Sequence, residues 1–265
     1  MNRIKQLFEQ KKENVLSIYF TAGYPDLTST LEIAAALEKA GADFLEIGIP
    51  YSDPLADGPV IQNSSLISIE NGMTLKVLFE QLKDLRKHVS IPVLLMGYVN
   101  PILQYGVEKF CAACKEVGVD GVIAPDLPMY EYEEMYQECF KGSNLSNIFL
   151  ITPQTSDERI LKIDSLTNGF IYLLSSSSTT GKNLALTDVT EEYFLRLKGM
   201  NLQNPTMIGF GISDNTSFRK ASQYANGAIV GSAFVKLLGE EGYLEKISEF
   251  ISSIKGDKLV NAEGV

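Results

Sequence analysis

The chain has 265 residues, of which 45% are hydrophobic and 21% charged, which fits one globular unit with a sizeable core. Its 33 acidic and 23 basic residues give a net charge of −10, which disfavours binding to nucleic acid or to an anionic membrane. No apolar run approaches the roughly 18 residues of a membrane span, and the N-terminus lacks the apolar segment of a signal peptide. We therefore expect a soluble, cytoplasmic protein.

The first predicted element is a helix over residues 2–13, with Ile4, Leu7 and Phe8 facing inward. Eight short apolar runs are predicted as strands, and they span residues 16–21, 44–49, 93–96, 121–124, 148–151, 170–174, 206–210 and 228–230. Helical patterns separate them, and Ser29 with Glu32 is predicted to form a capping box on the first of these, which Gly41 ends. The polar tail over 255–265 is expected to fray.

The alternation of strands and helices determines the predicted fold. Eight β-α repeats of about 33 residues match a (β/α)₈ barrel, also called a TIM barrel. The rival is a doubly wound open sheet, but residues 21–25 after the first strand lack its Gly-rich nucleotide fingerprint. No shift in composition marks a second domain, so residues 1–265 are predicted to form one barrel domain. The stretches 50–73 and 175–186 are too long for plain connections and predict long loops after strands 2 and 6 on the catalytic face.

The cysteines and the single histidine limit which kinds of catalysis and metal binding can be expected. Cys111, Cys114 and Cys139 form an odd set, which argues for a reducing compartment and against structural zinc. Cys111 and Cys114 fall on the apolar stripe of a helix, where inert packing is the favoured interpretation. His88 lies at the basic end of a helical pattern and is interpreted as a solvated surface residue. Histidine-dependent catalysis and a metal site are therefore disfavoured.

Glu46 is the first candidate catalytic residue. It shares one face of its strand with Phe44 and Gly48, whereas the opposite face is wholly aliphatic and should pack on helices. This alternation predicts that Glu46 points into the barrel, where loss of water would raise its pKa and let it exchange a proton near neutral pH. The alternative is a strand-end glutamate that pairs with a lysine or faces solvent.

The loop over 50–59 supplies a second acid. It carries Asp53 and Asp57 among three prolines, which limit the disorder of the loop. Either aspartate alone is more typical of an ordinary turn, and a calcium loop would need alternating ligands that are lacking here. Glu46 and Asp57 together suit proton transfers at two places on one small substrate.

Glycines at three strand ends predict a phosphate site. Gly181 follows the sixth strand and Gly211 the seventh, while Gly231 and Ser232 follow the eighth at a predicted helix start. Backbone N–H groups of such loops form the usual phosphate cradle of a barrel, although each glycine alone is more typical of a turn. A flat apolar slot for an aromatic ring is predicted beside it, lined by Tyr19, Tyr98, Ile123, Ile151, Tyr172 and Phe210.

Long motifs resemble a known family. The chain is similar to the alpha subunits of tryptophan synthase through LEIGIPYSDPLADGPVIQ at 45–62, LLMGYVNP at 94–101, APDLP at 124–128, GFGIS at 209–213 and GSAFVK at 231–236. The resemblance implies a (β/α)₈ barrel that cleaves indole-3-glycerol phosphate to indole and glyceraldehyde 3-phosphate. It also implies no cofactor in this chain and a partner β subunit that carries pyridoxal phosphate, in an α₂β₂ heterotetramer.

The resemblance assigns roles to individual residues. Glu46 matches the general acid and base, and Asp57 the acid that accepts a hydrogen bond from the indole N–H. Thr180 matches the threonine of the lid that closes over Asp57. The phosphate and ring-slot residues named above match those of the family, and the loops over 51–59 and 100–101 match its partner face. Three alternatives stay open, namely another phosphate-binding isomerase or aldolase, a stand-alone indole-releasing lyase and a catalytically silent barrel.

Overall fold

The computed structural model describes residues 2–174, 188–209 and 211–256. The strands within these ranges are β1 (Val15–Thr21), β2 (Phe44–Gly48), β3 (Val93–Met96), β4 (Gly121–Ile123), β5 (Ser146–Ile148), β6 (Leu150–Ile151), β7 (Ile171–Leu174), β8 (Thr206–Gly209) and β9 (Gly227–Val230). They pair in parallel in the order β5-β4-β3-β2-β1-β9-β8-β7-β6. Since only Phe149 separates β5 from β6, the two ends of this order meet and the sheet closes into the predicted barrel. The fifth predicted strand is therefore divided in two.

Helices surround the barrel in the same ranges. They are α1 (Arg3–Gln10), α2 (Thr30–Ala40), α3 (Pro59–Glu70), α4 (Leu75–Leu82), α5 (Leu85–His88), α6 (Val99–Tyr105), α7 (Val107–Val117), α8 (Met129–Glu131), α9 (Gln137–Gly142), α10 (Asp157–Leu166), α11 (Asp188–Gly199), α12 (Asn215–Ser222), α13 (Ser232–Leu238) and α14 (Tyr243–Lys255). A π-helical turn over Tyr132–Tyr136 joins α8 to α9. None of these helices has the length and apolar character that crossing a bilayer requires.

Two details of the local predictions differ from the structure. Gly41 ends α2 in the left-handed conformation as predicted, but the capping box at Ser29 is wrong. The Ser29 hydroxyl donates to the carbonyl oxygens of Tyr24 and Asp26 and does not cap α2. The stretch 50–73 is also not one long loop, because α3 begins at Pro59 after a shorter connection.

The core has an inner and an outer layer. Inside the barrel, side chains from the strands, from α1 and from Phe170 just before β7 meet in one cluster that consists of Ile4, Phe8, Val15, Phe44, Leu94, Ile123, Ile148, Phe170, Tyr172, Met207 and Ile229. The outer layer fills the space between strands and helices and includes the aliphatic face of β2. Burial of each large side chain contributes about 1.5–3 kcal/mol, so both layers stabilise the barrel.

Helix α1 closes the lower end of the barrel, where the strands begin. The Asn2 side chain caps the helix by accepting a hydrogen bond from the backbone N–H of Ile4. Ile4 and Phe8 are buried in the inner cluster, and Leu7 packs against it, as the sequence predicts. The Phe8 ring lies 6.1 Å from the ring of Phe170, centroid to centroid. The upper end, where the strands finish, is left for a site.

Candidate active site

Strand β2 carries Glu46 into the barrel. Phe44, two residues earlier, belongs to the inner cluster, whereas Leu45 and Ile47 belong to the outer layer. The alternation therefore points Glu46 inward, as predicted from the sequence. Its relative exposure is 0%, and Tyr19 of β1 is its pairing partner across the two strands. A solvent-facing glutamate is thus ruled out.

The surroundings of Glu46 bring the pKa of its carboxyl group close to neutral pH. The Ser17 hydroxyl donates a hydrogen bond to Oε1 at 3.0 Å, while Oε2 has no hydrogen-bond partner among the described residues. Burial raises the pKa of Glu46 to about 8, and the hydrogen bond from Ser17 offsets part of this rise. A carboxyl group with this pKa can both give and take a proton at neutral pH.

Asp57 lies on the connection between β2 and α3 and is fixed by its neighbours. The Tyr98 hydroxyl donates to Asp57 Oδ2 at 3.3 Å and accepts from the backbone N–H of Ala56 at 2.9 Å. The Asp57 N–H donates to the carbonyl of Pro54, which closes a turn. Burial raises the pKa of Asp57 to about 6, and the hydrogen bond from Tyr98 lowers it in part. Asp57 is therefore mostly ionised at pH 7.

A cavity of about 490 Å³ opens at the upper end of the barrel, beside Asp57. Its walls come from β1, β3, β6 and β7, from the connections that follow β2, β3, β4 and β6, and from α3. They are Tyr19, Ile49, Tyr51, Pro54, Leu55, Ala56, Asp57, Ser65, Met96, Gly97, Tyr98, Pro125, Leu150, Thr152, Gln154 and Leu174. Tyr19, which pairs with Glu46 across β1 and β2, belongs to this wall, so Glu46 is the strand neighbour of a residue that lines the cavity. A volume of this size accommodates a small aromatic substrate.

The predicted ring-slot residues occupy different places. Tyr19 and Tyr98 line the cavity, whereas Ile123 and Tyr172 are buried in the inner cluster. The Tyr172 ring lies over Gly209, where an added Cβ would meet the phenol oxygen at 2.0 Å. Burial raises the pKa of the Tyr172 hydroxyl, and the negative charges of Glu46 and Asp57 add to the rise. The Tyr172 hydroxyl therefore lies near enough to both acids for their charges to affect it.

Ile151 does not face the slot, contrary to the prediction from the sequence. In the β6–β7 pairing Ile151 lies opposite Leu173, and both belong to the outer layer that contacts the helices. Leu150 lies opposite Tyr172, packs on the inner cluster and lines the cavity. Side chains alternate along a strand, so only one of these two neighbours can face inward. That residue is Leu150.

The predicted phosphate residues follow β8 and β9 at the same end. Gly211 has a φ of 77°, which suits glycine, and Ser232 is the first residue of α13. Gly231 precedes it, and a Cβ placed there would lie 3.7 Å from Tyr19 Cδ1. Gly231 is thus brought beside Tyr19 of the cavity wall. Thr180, Gly181 and Phe210 lie outside the described residues.

Sequence reasoning missed several residues of this region. Ser17 bonds to Glu46, and Tyr51 stacks on Tyr98 with 5.0 Å between ring centroids. A lone serine on the face that it shares with Tyr19 is the sequence feature that could have identified Ser17. Within the three described ranges, no group of three or more His, Cys, Asp or Glu side chains is arranged to hold a metal ion.

Comparison with known proteins gives one consistent family. A family model described as tryptophan synthase alpha chain matches residues 5–257. The chain is 57% identical over 254 residues to the tryptophan synthase alpha chain of Flavobacterium psychrophilum, which covers 96% of this chain and 100% of the relative. The alpha chain of Christiangramia forsetii is 56% identical over 255 residues, with 96% and 99% covered.

Solved structures have the same fold. A mutant tryptophan synthase alpha-subunit from Pyrococcus furiosus superposes with a TM-score of 0.84 at 38% identity and covers 93% of this chain and 99% of that one. A chain of the tryptophan synthase complex from the same organism gives a TM-score of 0.84 at 36% identity, with the same coverage. Tryptophan synthase of Mycobacterium tuberculosis gives 0.87 at 28% identity, with 97% and 98% covered.

Proposed function

The chain belongs to the tryptophan synthase alpha chain family, the lyases that cleave indole-3-glycerol phosphate, and we propose that it does so with Glu46 and Asp57 as its two acids. The products are indole and glyceraldehyde 3-phosphate. One observation carries the assignment of the acids. Glu46 is a fully buried carboxyl group whose strand neighbour Tyr19 lines a cavity that a second acid, Asp57, also lines.

Glu46 acts as the general acid and base of this proposal. Protonation of the indole ring at C3 makes the ring nitrogen iminium-like, and only this tautomer can release the side chain as an aldehyde. Glu46 gives the proton to C3 and takes one from the glycerol hydroxyl as the carbon–carbon bond breaks. A pKa of about 8 supports both transfers, because neither protonation state is costly at neutral pH.

Asp57 stabilises the positive charge that develops on the ring nitrogen. Its carboxylate accepts the indole N–H, and a fixed anion there stabilises the protonated intermediate more than the neutral ground state. The two hydrogen bonds of the Tyr98 hydroxyl, to Asp57 and Ala56, support this role because they hold the carboxylate in one place. Asp57 does not need to move a proton itself.

The remaining substrate contacts follow the geometry of the upper end. We propose that backbone N–H groups at Gly211, Gly231 and Ser232 hold the phosphate, together with Gly181, and that Thr180 belongs to the lid. The left-handed φ of Gly211 and the place of Gly231 beside Tyr19 support the first three residues. The indole slot is assigned to Tyr19, Tyr98, Ile123, Leu150 and Tyr172.

A tryptophan synthase alpha chain has a β-subunit partner, and its family needs no cofactor of its own. We propose an α₂β₂ assembly in the cytoplasm, with pyridoxal phosphate in the β subunit, and one domain over residues 1–265. The partner face would be formed by the loops over 51–59 and 100–101. Leu55 is 86% exposed there, and the Asn100 side chain donates to the Tyr51 hydroxyl, which links the two loops.

The test is indole release from indole-3-glycerol phosphate by the purified chain, with and without β subunit. Glu46→Gln should lower the rate about 10²- to 10⁴-fold, the usual share of general acid–base catalysis. Glu9→Gln, an exposed change of the same kind on α1, is the matched control and should keep the parent rate. An unchanged rate in Glu46→Gln would refute the assignment, and a rate that β subunit does not raise would favour a stand-alone lyase.

A further inference from the structure

Ser17 lies in the barrel interior, and none of the proposed catalytic steps involves it. It lies on β1, two residues before Tyr19 and on the same inward face. Ser17 and Glu46 both have a relative exposure of 0%, and the Ser17 hydroxyl donates to Glu46 Oε1 at 3.0 Å. A hydrogen bond between two fully buried side chains, one of them an acid without a cation in the described residues, has a large electrostatic effect.

The strand register tells on which side of the carboxyl group Ser17 lies. In the β1–β2 pairing, Ser17 is opposite Phe44 and Tyr19 is opposite Glu46. Ser17 is therefore one inward-facing position below Glu46 in the register, whereas the Tyr19 ring lies over Gly48, the next inward position of β2, and lines the cavity. Ser17 is not among the residues that line the cavity, so its hydrogen bond reaches Glu46 from outside the cavity wall.

The other neighbours of Glu46 offer little competition to this contact. Within the described ranges, the titratable groups that face it are the Tyr19 phenol from β1 and the Tyr172 phenol from β7, and the charge of Glu46 raises the pKa of each. From β3 the facing residue in the register is Leu94, which carries no polar group. Oε2 has no hydrogen-bond partner in the described part of the chain. The two carboxyl oxygens are thus chemically different.

We propose that Ser17 is a positioning residue for proton transfer, and that its hydroxyl fixes Glu46 Oε1 so that Oε2 is the oxygen that exchanges protons with the substrate. The inference rests on the proposed function of Glu46. When Oε1 accepts the serine O–H, the proton of the neutral acid resides on Oε2. Oε2 gives this proton to C3 and later takes one from the glycerol hydroxyl, so Glu46 ends in the protonation state in which it began.

The contact also favours the carboxylate that exists between the two transfers. A hydroxyl that donates to an ionised oxygen makes a stronger hydrogen bond than one that donates to a neutral acid. Ser17 therefore stabilises the anion against the apolar surroundings that oppose it. Loss of the hydroxyl should make Glu46 a weaker acid and leave its carboxyl group free to rotate.

The experiment compares Ser17→Ala with Ser17→Thr, which retains a hydroxyl. In steady-state assays of the full chain from pH 5 to 10, Ser17→Ala should lower kcat about tenfold with KM within about twofold. The limb of the kcat profile that Glu46 controls should move up by about one pH unit, which corresponds to a tenfold change in ionisation. Ser17→Thr should recover most of both effects, because it restores the donor.

Ser146→Ala is the matched control, since Ser146 is also fully buried and hydrogen-bonded, but to Asn2 and Asn168 and not to Glu46. It should leave the pH profile in place. A carboxyl titration by infrared difference spectroscopy gives a readout without turnover, and the Glu46 band should titrate at higher pH in Ser17→Ala. A loss of kcat without either shift, or a parent-like Ser17→Ala, would overturn the inference. Glu46→Gln separates the two proposals, because an active Glu46→Gln would overturn the proposed function itself.

Discussion

The two ends of the barrel treat buried acids in opposite ways. At the lower end Asp120 is 4% exposed, and its carboxylate accepts hydrogen bonds from Arg3 at 2.9 Å and Arg86 at 2.6 Å. The backbone N–H of Val93 donates to the same carboxylate at 2.9 Å. At the upper end Glu46 is just as buried, but among the described residues it contacts one neutral hydroxyl and no cation.

The contrast shows where this chain trades stability for chemistry. The Asp120 carboxylate is bonded to two guanidinium groups and a backbone N–H, so it links α1, α5 and β3 and serves the fold. A buried acid without a cation is costly to keep ionised, and for this reason it can exchange its proton with a substrate. The lower end therefore holds the barrel together, while the upper end carries the reaction.

The largest expected effect comes from breaking the lower network. Asp120→Ala would leave Arg86, which is mostly buried, and the N–H of Val93 without their partner. Removal of one member of a buried ion pair costs about 3–5 kcal/mol, so the free energy of unfolding should fall by about that amount. Urea denaturation at pH 7 measures it.

Two further results decide what the loss means. Asp84→Ala removes an exposed partner of Lys87 and should leave the free energy of unfolding nearly unchanged. The kcat of the folded fraction of Asp120→Ala should stay close to that of the parent chain, since Asp120 lies at the end opposite the cavity. A stable but inactive Asp120→Ala variant would contradict the division between the two ends.

The next effect has the opposite sign and comes from Glu46. Because its folded pKa is about 8 and its ordinary value 4.5, the unfolded chain releases this proton first. The parent therefore loses stability as pH rises from about 4.5 to about 8, by up to about 1.4 kcal/mol per pH unit. Glu46→Gln cannot ionise, so it should be more stable than the parent by about 3 kcal/mol at pH 7 and equal to it near pH 4.

Urea denaturation of both proteins between pH 4 and pH 8 measures the difference. Parallel curves would mean that Glu46 is not held neutral by its surroundings. An inactive variant with higher stability at pH 7 would show that the residue is retained for chemistry and not for folding.

The elements that the sequence predicts well have a strong periodic pattern. The aliphatic face of β2 fixes the direction of Glu46, and Ile4 with Phe8 identifies the face of α1 that closes the barrel. In both cases a whole face is buried, so a shift of one residue would expose several apolar side chains. The periodic pattern alone therefore predicts which face of each element is buried, without knowledge of the neighbouring elements.

Other features depend on contacts between distant residues. Leu150 and Ile151 are both aliphatic, and only the pairing with Tyr172 and Leu173 shows which one faces the cavity. Ser29 has the residue type of a helix cap, but its hydroxyl bonds to the carbonyls of the preceding turn. A single sequence shows residue types and spacing, whereas register and competing hydrogen bonds require the fold.

The smallest expected effect tests how the upper end holds its second acid. Tyr98→Phe removes the donor to Asp57 and the acceptor of the Ala56 N–H, so both hydrogen bonds between this hydroxyl and the loop are lost. The hydrogen bond lowers the pKa of Asp57, and its loss should raise that pKa further above about 6. The ionised form of Asp57 is the one that accepts the indole N–H. As the solution is acidified, the variant should therefore lose activity at a higher pH than the parent. We expect kcat/KM at pH 7 to fall about fivefold to tenfold, in line with the roughly 1 kcal/mol net contribution of one typical hydrogen bond.

Profiles of kcat/KM from pH 5 to pH 8 measure this shift, with Tyr105→Phe on α6 as the control for loss of a phenol elsewhere. Tyr105 packs on Phe79 and should leave the profile unchanged. If Tyr98→Phe lowers kcat/KM equally at every pH, the hydroxyl only shapes the slot and does not act through Asp57. Burial would then remain the main cause of the raised pKa of Asp57. The surroundings of Glu46 would still control its proton, whereas loop geometry alone would hold Asp57 in place.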